Sequence, residues 1–381
     1  MKEKQLLYEL FAQAGITING SEPWDITVHD ERFYTEILND TELFMGESYM
    51  DKWWDCPALD QFFYRVLRAD LDKKALKIPH FWRSALRQHL FDWTYPILHS
   101  QSRKKSLDVG REHYDIGNDL YECMLDKNMV YTCAYWKNAK SLDEAQEQKL
   151  HLICQKLYFK PGMTVLDIGC GWGSFAKFAA QNYGVSVVGI TISKEQLRLA
   201  KERCQGLPVE IRFQDYRDLL HEKSEQYDRV VSIGMFEHVG DQHYPKYMQV
   251  VFHCLKSEGL FLLHTIGSNA TDRSINKWIN AYIFPHGQLP SIGQIGQAIE
   301  KRFVMEDWHN FGSYYDLTLM AWHANLNSHW DKLKDHYSDR FHRMWNYYLL
   351  SCAGSFRARK NQLWQIVLSK GGVLGGYKRI S

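Results

Sequence analysis

Val165-Leu166-Asp167-Ile168-Gly169-Cys170-Gly171-Trp172-Gly173 decides the fold. An apolar run carries an acid near its end, glycine then occupies every second position, and the helical run Ser174–Tyr183 follows at once. Glycine lets the backbone come close to a ligand, and the start of a helix offers unpaired N–H groups. The stretch therefore reads as a strand, Thr164–Ile168, feeding a ligand-binding loop and a helix. A dinucleotide fingerprint would be spaced GxGxxG, whereas this loop is GxGxG.

Outward from this loop, strand and helix patterns alternate. Val185–Ile190 reads as a strand, Lys194–Cys204 as a helix, and Val209–Phe213 and Tyr227–Ile233 as strands. Pro245–Leu255 then reads as a helix and Leu260–Thr265 as a strand. This alternation predicts an α/β fold with a doubly wound, mostly parallel sheet. The 381 residues leave room for a second, smaller domain, read as mainly helical and placed before the sheet.

Composition narrows the function. Lys+Arg is 46 and Asp+Glu 45, a net charge of +1, which argues against a nucleic-acid partner and against an acidic tail. The eight cysteines form no CxxC pair and no Cys/His ligand spacing, so no disulfide framework and no metal site are expected. The first twenty residues lack the apolar core of a secretory signal, and a cytoplasmic location follows. Trp278–Ile299 is uncharged but holds Pro285, Pro290 and three glycines. It cannot span a bilayer and reads as an irregular segment, a lid or one wall of a cleft. Aromatic residues reach 14%, enough to fill a large core or to line a groove for an apolar ligand.

The strand, acid, GxGxG loop and helix together resemble the first motif of class I S-adenosylmethionine-dependent methyltransferases, which implies a Rossmann-like fold. On that resemblance Asp167, Gly169, Cys170, Gly171, Trp172 and Gly173 belong to the cofactor site. Members of this class usually carry an acid at the end of the second strand for the ribose hydroxyls. Here the strand ends in Thr191-Ile192-Ser193, so Thr191 and Gln196 are left to supply those hydrogen bonds. Ser193, with Gln196 three residues on, also reads as a helix N-cap with a capping-box partner. Asp215 and Tyr216 follow the third strand, where the class contacts the adenine.

Further blocks make the resemblance specific. They include Gly46–Asp51 (GESYMD), Glu112–Asp115 (EHYD), Tyr131–Trp136 (YTCAYW), Gly234–Gly240 (GMFEHVG) and Leu262–Gly267 (LLHTIG). Glu306–Gly312 (EDWHNFG), Tyr315–Trp322 (YDLTLMAW) and Cys352–Arg359 (CAGSFRAR) complete the set. With these the chain resembles the bacterial cyclopropane-fatty-acyl-phospholipid synthases over nearly its whole length. The N-terminal block separates these two-domain enzymes from the shorter mycolic-acid methyltransferases. The resemblance implies that the methyl group of S-adenosylmethionine becomes a methylene bridge across a cis double bond of a phospholipid acyl chain. Methyl transfer on the same fold to another lipid or to a small amine remains the alternative.

The alkene is itself the nucleophile, and a proton must leave the transferred methyl for the ring to close. The resemblance implies a bound bicarbonate as the base, held by Cys133, Glu237, His264, the Ile266 backbone and Tyr315. It adds Tyr131 and Thr132 to the cofactor site, and it implies a homodimer. Tyr314 is open to exchange with Tyr315. Cys133 reads equally well as a small buried residue. Cys352 matches a cysteine long treated as a nucleophile, yet SCAGSF also reads as tight helix packing. His238 reads as a packing neighbour of Glu237. Tyr131, Trp136, Tyr282, Phe284 and Trp308 are candidates for stabilising a developing cation, or for the core.

The net charge conceals a segregation. Lys73, Lys74, Lys77, Arg83, Arg87, Arg103, Lys104 and Lys105 stand against Asp92 alone, so residues 73–105 carry +7 and the rest of the chain −6. Pro79 suits a first helical turn, Trp82, Leu86, Leu90 and Trp93 share one helix face, and Pro96 ends the helix. Such a helix either packs on its own domain with a solvated basic side or docks on a membrane surface. Residues 1–105 are accordingly read as a lipid-surface and oligomerisation domain, 106–130 as a linker, and 131–381 as the catalytic domain. Charge reversal at Lys73, Lys74, Lys77, Arg83 and Arg87 should weaken binding to anionic vesicles and reduce its salt dependence in a flotation assay. Unchanged binding would leave these residues as a solvated face.

Overall fold

The computed structural model describes residues 2–38, 40–71, 117–224, 226–272 and 276–381. The basic segment 73–105, with the helix expected from Pro79, lies outside the described residues, as do the Glu112–Asp115 block and linker residues 106–116. The chain divides into two compact units. The first comprises, among described residues, 2–38, 40–71, 276–285 and 315–361; the second comprises 117–224, 226–272, 286–314 and 362–381. The stretches 276–285 and 315–361, read from sequence as part of one catalytic domain, thus pack with N-terminal residues.

The first unit is mainly helical. Its helices include Lys2–Ala12, Thr41–Met50, Leu59–Arg68, Lys277–Tyr282 and Asp339–Arg357. A two-residue strand, Thr27–Val28 (β1), pairs antiparallel with Trp54–Asp55 (β2). Its core is aromatic: Trp54 lies 5.1 Å from Tyr49 and 5.6 Å from Phe62, and Trp278 lies 4.5 Å from Tyr347. The Trp54 indole N–H donates to Ser48 Oγ at 3.0 Å, which satisfies its polar edge inside this core. Much of the aromatic content is therefore spent on packing. Two features of the CAGSFRAR block are structural. The helix Asp339–Arg357 passes so close to Leu59–Arg68 that a Cβ on Gly354 would sit 2.7 Å from the Asp60 carbonyl oxygen. Arg357 forks onto Asp316 at 2.9 and 2.8 Å and also reaches Asp60.

The second unit carries the sheet. Its strands are Thr164–Ile168 (β3), Ser186–Thr191 (β4), Val209–Phe213 (β5), Tyr227–Ile233 (β6), Leu255–Ser268 (β7), Val304–Asn310 (β8) and Asn361–Ser369 (β9). They run in the order β5-β4-β3-β6-β7-β9-β8. The pairs β3–β4, β4–β5, β3–β6 and β6–β7 are parallel, and β8–β9 is antiparallel. This is the doubly wound α/β sheet that the alternation predicts. β3, β5 and β6 have the expected bounds, and β4 is displaced by one residue. β7 exceeds the expected Leu260–Thr265 at both ends, and at its start Lys256–Gly259 forms a bulge within the strand: Tyr227 pairs with Leu255 and Arg229 with Leu260. Lys256 Nζ closes the bulge on Asp228 at 2.8 Å.

The uncharged segment is irregular only in its middle, residues 283–291. Its ends lie in the helices Lys277–Tyr282 and Ile292–Ile299, with Pro285 and Pro290 between them. Ser291 and Gln294 form a full capping box that starts the second helix, so local polar chemistry creates helices where prolines suggested none. No helix among the described residues is long and apolar enough to cross a membrane.

The helix contact gives a paired prediction. Gly354→Ala should destabilise the protein by about 1–3 kcal/mol, because the new methyl meets backbone. Gly296→Ala, in the helix Ile292–Ile299 with nothing within 4 Å of the added carbon, should stabilise it by about 0.5–1 kcal/mol. Thermal unfolding checks both; equal shifts would contradict the packing.

Candidate functional site

The strand order reverses between β3 and β6. At such a switch point the loops leaving neighbouring strands diverge, and open α/β sheets bind ligands there. A cavity opens at this point, lined by the residues that follow β3 (Gly169–Trp172), β4 (Ile192, Ser193), β5 (Gln214–Arg217) and β6 (Gly234, Met235, His238, Val239). Gly169 has φ +84°, and a Cβ there would press on the Met235 side chain at 2.7–2.8 Å, so only glycine allows the turn out of β3. Arg203 ties the loop down from behind, donating to the Trp172 carbonyl at 3.3 Å and to the Asn128 carbonyl at 2.7 Å.

Of the residues assigned to the cofactor from sequence, Tyr131, Thr132, Asp167, Gly169, Cys170, Gly171, Trp172, Thr191, Ser193, Gln196, Asp215 and Tyr216 all line this cavity. Gly173 does not; it precedes the helix Ser174–Tyr183 and packs against Cys204 and Ala200. Ser193 caps the helix Lys194–Arg203, accepting from the Gln196 N–H at 3.3 Å. The Gln196 side chain does not close a capping box. Its Oε1 accepts from Thr191 Oγ1 at 3.0 Å, which leaves the amide Nε2 as a donor. Both Asp215 oxygens are held by Arg217, at 2.8 and 2.6 Å, and Oδ1 also accepts the Arg217 N–H.

Asp167 is buried at the end of β3, and its Oδ2 has no hydrogen-bond partner in the protein. Burial pushes its carboxyl up to about 7, with the charge of Lys149 opposing that shift. Lys149 also lines the cavity, though sequence reading passed over it. It lies on the helix Leu142–Lys156, where Leu142, Ala145, Gln146, Lys149, Leu150 and Ile153 form one buried stripe. A lysine at a position where the stripe calls for an apolar residue was the available signal.

Glu237 and His264 form a second polar group in the same unit. Glu237 follows β6 on a short turn, and its Oε1 accepts from the Ile266 N–H at 2.7 Å. Oε2 is buried without a partner, and burial pushes the carboxyl up to about 7 against the pull of that N–H. His264 lies on β7 opposite Ile233. Burial, then the charges of Lys149 and Lys156, push its pKa far down, so the ring is neutral. Gln365 Nε2 sits 3.3 Å from His264 Nδ1. In this amide orientation Nδ1 accepts, the ring proton is on Nε2, and Nε2 has no partner in the protein. The Ile266 N–H is already spent on Glu237, and its carbonyl accepts from Thr265 Oγ1 at 2.9 Å.

The remaining residues are each held by their own neighbours. Cys133 is fully buried in the second unit, its Sγ 3.3 Å from the Ala134 carbonyl oxygen. Tyr314, in the second unit, packs on Tyr135 at 5.5 Å, whereas Tyr315, in the first, packs on Phe356 at 4.5 Å and on Trp322 at 5.9 Å. Cys352 lies in the first unit on Asp339–Arg357, and desolvation pushes its thiol up to about 12, so it stays protonated. Trp308 packs edge-on against Trp364 at 5.0 Å in the core, and Phe284 packs on Tyr348. The Tyr282 hydroxyl donates to Glu47 at 2.7 Å. His238 lines the cavity, and burial pushes its ring down to about 4.

Residues 101–366 match the family described as mycolic acid cyclopropane synthetase. The chain belongs to the mycolic acid cyclopropane synthetase family. The cyclopropane-fatty-acyl-phospholipid synthase of Escherichia coli K12 is 55% identical to it over 366 residues, covering 95% of this chain and 92% of that protein. The cyclopropane synthase MmaA2 of Mycobacterium tuberculosis superposes with a TM-score of 0.64 at 29% identity, covering 69% of this chain and 98% of that one. The mycolic acid cyclopropane synthase CmaA1, solved with S-adenosylhomocysteine and CTAB, gives a TM-score of 0.64 at 30% identity over 69% and 98%. These neighbours fix the sheet as the class I methyltransferase fold.

In this family member, Glu237 makes stability depend on pH in a calculable direction. Its folded pKa of about 7 exceeds the ordinary 4.5, so the folded state holds the proton through that interval and the unfolded chain does not. The contribution is present below about 4.5 and is lost as pH rises through about 7. Glu237→Gln should remove this loss. In urea unfolding the variant should gain on the wild type between about pH 5 and about pH 8, by up to about 3 kcal/mol. Parallel pH profiles would show that the carboxyl is not desolvated.

Proposed function

We propose that this chain transfers a methylene group from S-adenosylmethionine to the cis double bond of an unsaturated phospholipid acyl chain, producing a cyclopropane fatty acyl phospholipid. The observation that carries the reading is the 55% identity to the Escherichia coli synthase across 95% of the chain, joined to a switch-point cavity whose lining meets the needs of an adenosyl ligand. The orphaned Asp167 Oδ2 suits an ammonium group, and the Gln196 amide suits a ribose hydroxyl. Bound there, S-adenosylmethionine supplies an electrophilic methyl on a sulfonium.

Glu237 and His264 fit a small oxyanion. Each offers one buried polar atom with no partner in the protein. Near neutrality the raised Glu237 carboxyl is partly protonated and donates, and the neutral His264 ring donates through Nε2. Two donors in a desolvated site hold an anion such as bicarbonate, which would accept the proton that ring closure releases. The Ile266 carbonyl and Cys133, in the same unit, complete the proposed set. Keeping the carboxyl partly protonated also protects it from alkylation. Residues 1–105 are proposed to meet anionic lipid through the basic segment, at the inner face of the cytoplasmic membrane, and to support a homodimer.

Incubation with methyl-labelled S-adenosylmethionine and two vesicle preparations tests the reading. Label should enter cis-unsaturated lipid and not fully saturated lipid; equal labelling of both would refute it. Glu237→Gln should lower kcat by roughly 100-fold or more while leaving S-adenosylhomocysteine affinity within about twofold. Unchanged turnover would remove Glu237 from the site.

A further inference from the structure

Lys149 is completely buried and lines the cofactor cavity. Its ammonium can donate three hydrogen bonds, yet it makes one, to Thr132 Oγ1 at 2.9 Å. No carboxylate among the described residues stands within ion-pair distance of it. A desolvated cation with a single neutral partner is costly unless an anion joins it. The opposite charge in the same cavity, Asp167, is similarly incomplete at Oδ2. The lining therefore presents one unsatisfied cation and one unsatisfied anion, the complement of a zwitterion.

Thr132 is held at its methyl and at its carbonyl as well. Its methyl faces Gly234, where a Cβ would come within 2.5 Å of Thr132 Cγ2. Its carbonyl accepts from Gln146 Nε2 at 2.8 Å, and the same amide holds the Val130 carbonyl at 3.2 Å. Gln146 and Lys149 are three residues apart, on one face of the helix Leu142–Lys156. Because Lys149 donates to Thr132 Oγ1, the hydroxyl cannot donate back along that line, and its own proton must go to another acceptor.

We propose that Lys149 is a positioning residue that turns the Thr132 hydroxyl into a donor for the carboxylate of the cofactor's amino-acid tail, with Asp167 taking the ammonium of that tail. The inference rests on the reading of the cavity as an S-adenosylmethionine site and adds the part of that ligand which Lys149 selects. The subsite discriminates between adenosyl compounds with and without a carboxylate.

The test is equilibrium binding of S-adenosylhomocysteine, its decarboxylated analogue and 5′-methylthioadenosine to the full chain, followed by calorimetry. Lys149→Met replaces a buried cation with an apolar side chain of similar length and should keep the fold. It should weaken S-adenosylhomocysteine roughly 10- to 100-fold while moving the other two ligands by about twofold or less. Thr132→Val should show the same selectivity, and the double variant should lose no more than the worse single one. Thr132→Val carries the test alone should Lys149→Met not fold. Equal weakening of all three ligands, or no weakening of S-adenosylhomocysteine, overturns the proposal. Failure of the wild type to bind any of the three overturns the cofactor reading itself, a distinct result.

Discussion

Desolvation at the carboxyl ends of β3, β6 and β7 governs the rest of the second unit. Asp167, Glu237 and His264 are buried there, Lys149 is buried in the same unit, and each has donors or acceptors that the protein leaves incomplete. Burying such groups costs several kcal/mol apiece unless partners restore what water supplied. The surrounding architecture makes the arrangement possible. Gly169 turns the chain sharply out of β3, Arg203 holds the loop from behind, and Gln146 pins the strip Val130–Thr132 that lines the same cavity. A ligand carrying the missing charges and hydrogen bonds recovers the cost, so selectivity and stability have one physical origin.

The same desolvation sets the protonation states. Glu237 and Asp167 are both pushed up to about 7, while His264 and His238 are pushed down. Near neutrality the two carboxyls are consequently only partly ionised and the two imidazoles are uncharged. This suits chemistry in which the electrophile is a sulfonium methyl and the nucleophile an alkene, because a fully ionised carboxylate beside that methyl would compete for it. Low dielectric also strengthens every remaining interaction with charge that develops during the reaction.

What the sequence made legible was local. The strand Thr164–Ile168 and the loop after it could be read because the apolar run, the acid and the spaced glycines answer to one geometric demand. Of the cavity lining, Asp167 and Gly169–Trp172 followed from the same stretch, Thr191, Ser193, Gln196, Asp215 and Tyr216 from the ends of the next two strands, and Tyr131 and Thr132 from the family resemblance alone. Lys149 was invisible because a lysine is ordinarily read as solvated, and only its place on the buried stripe of Leu142–Lys156 betrays it. The prior commitments of site groups were equally hidden: Asp215 is bound by Arg217, the Ile266 N–H by Glu237, and the Gln196 oxygen by Thr191. Such pairings are set by side-chain rotamers, not by spacing. The assembly of the first unit from 2–71, 276–285 and 315–361 depends on contacts such as Gly354 against Asp60, hundreds of residues apart, which no local pattern records.

The central claim is that the buried Glu237 and His264 serve the removal of one proton from the transferred methyl group. Mass analysis of lipid formed from S-adenosylmethionine bearing a trideuterated methyl measures that event directly. Methylene transfer predicts that two of the three deuterons remain in the product and one is lost to the medium. Retention of all three would mean that the methyl is transferred intact, and would contradict the assignment of the buried pair to proton removal.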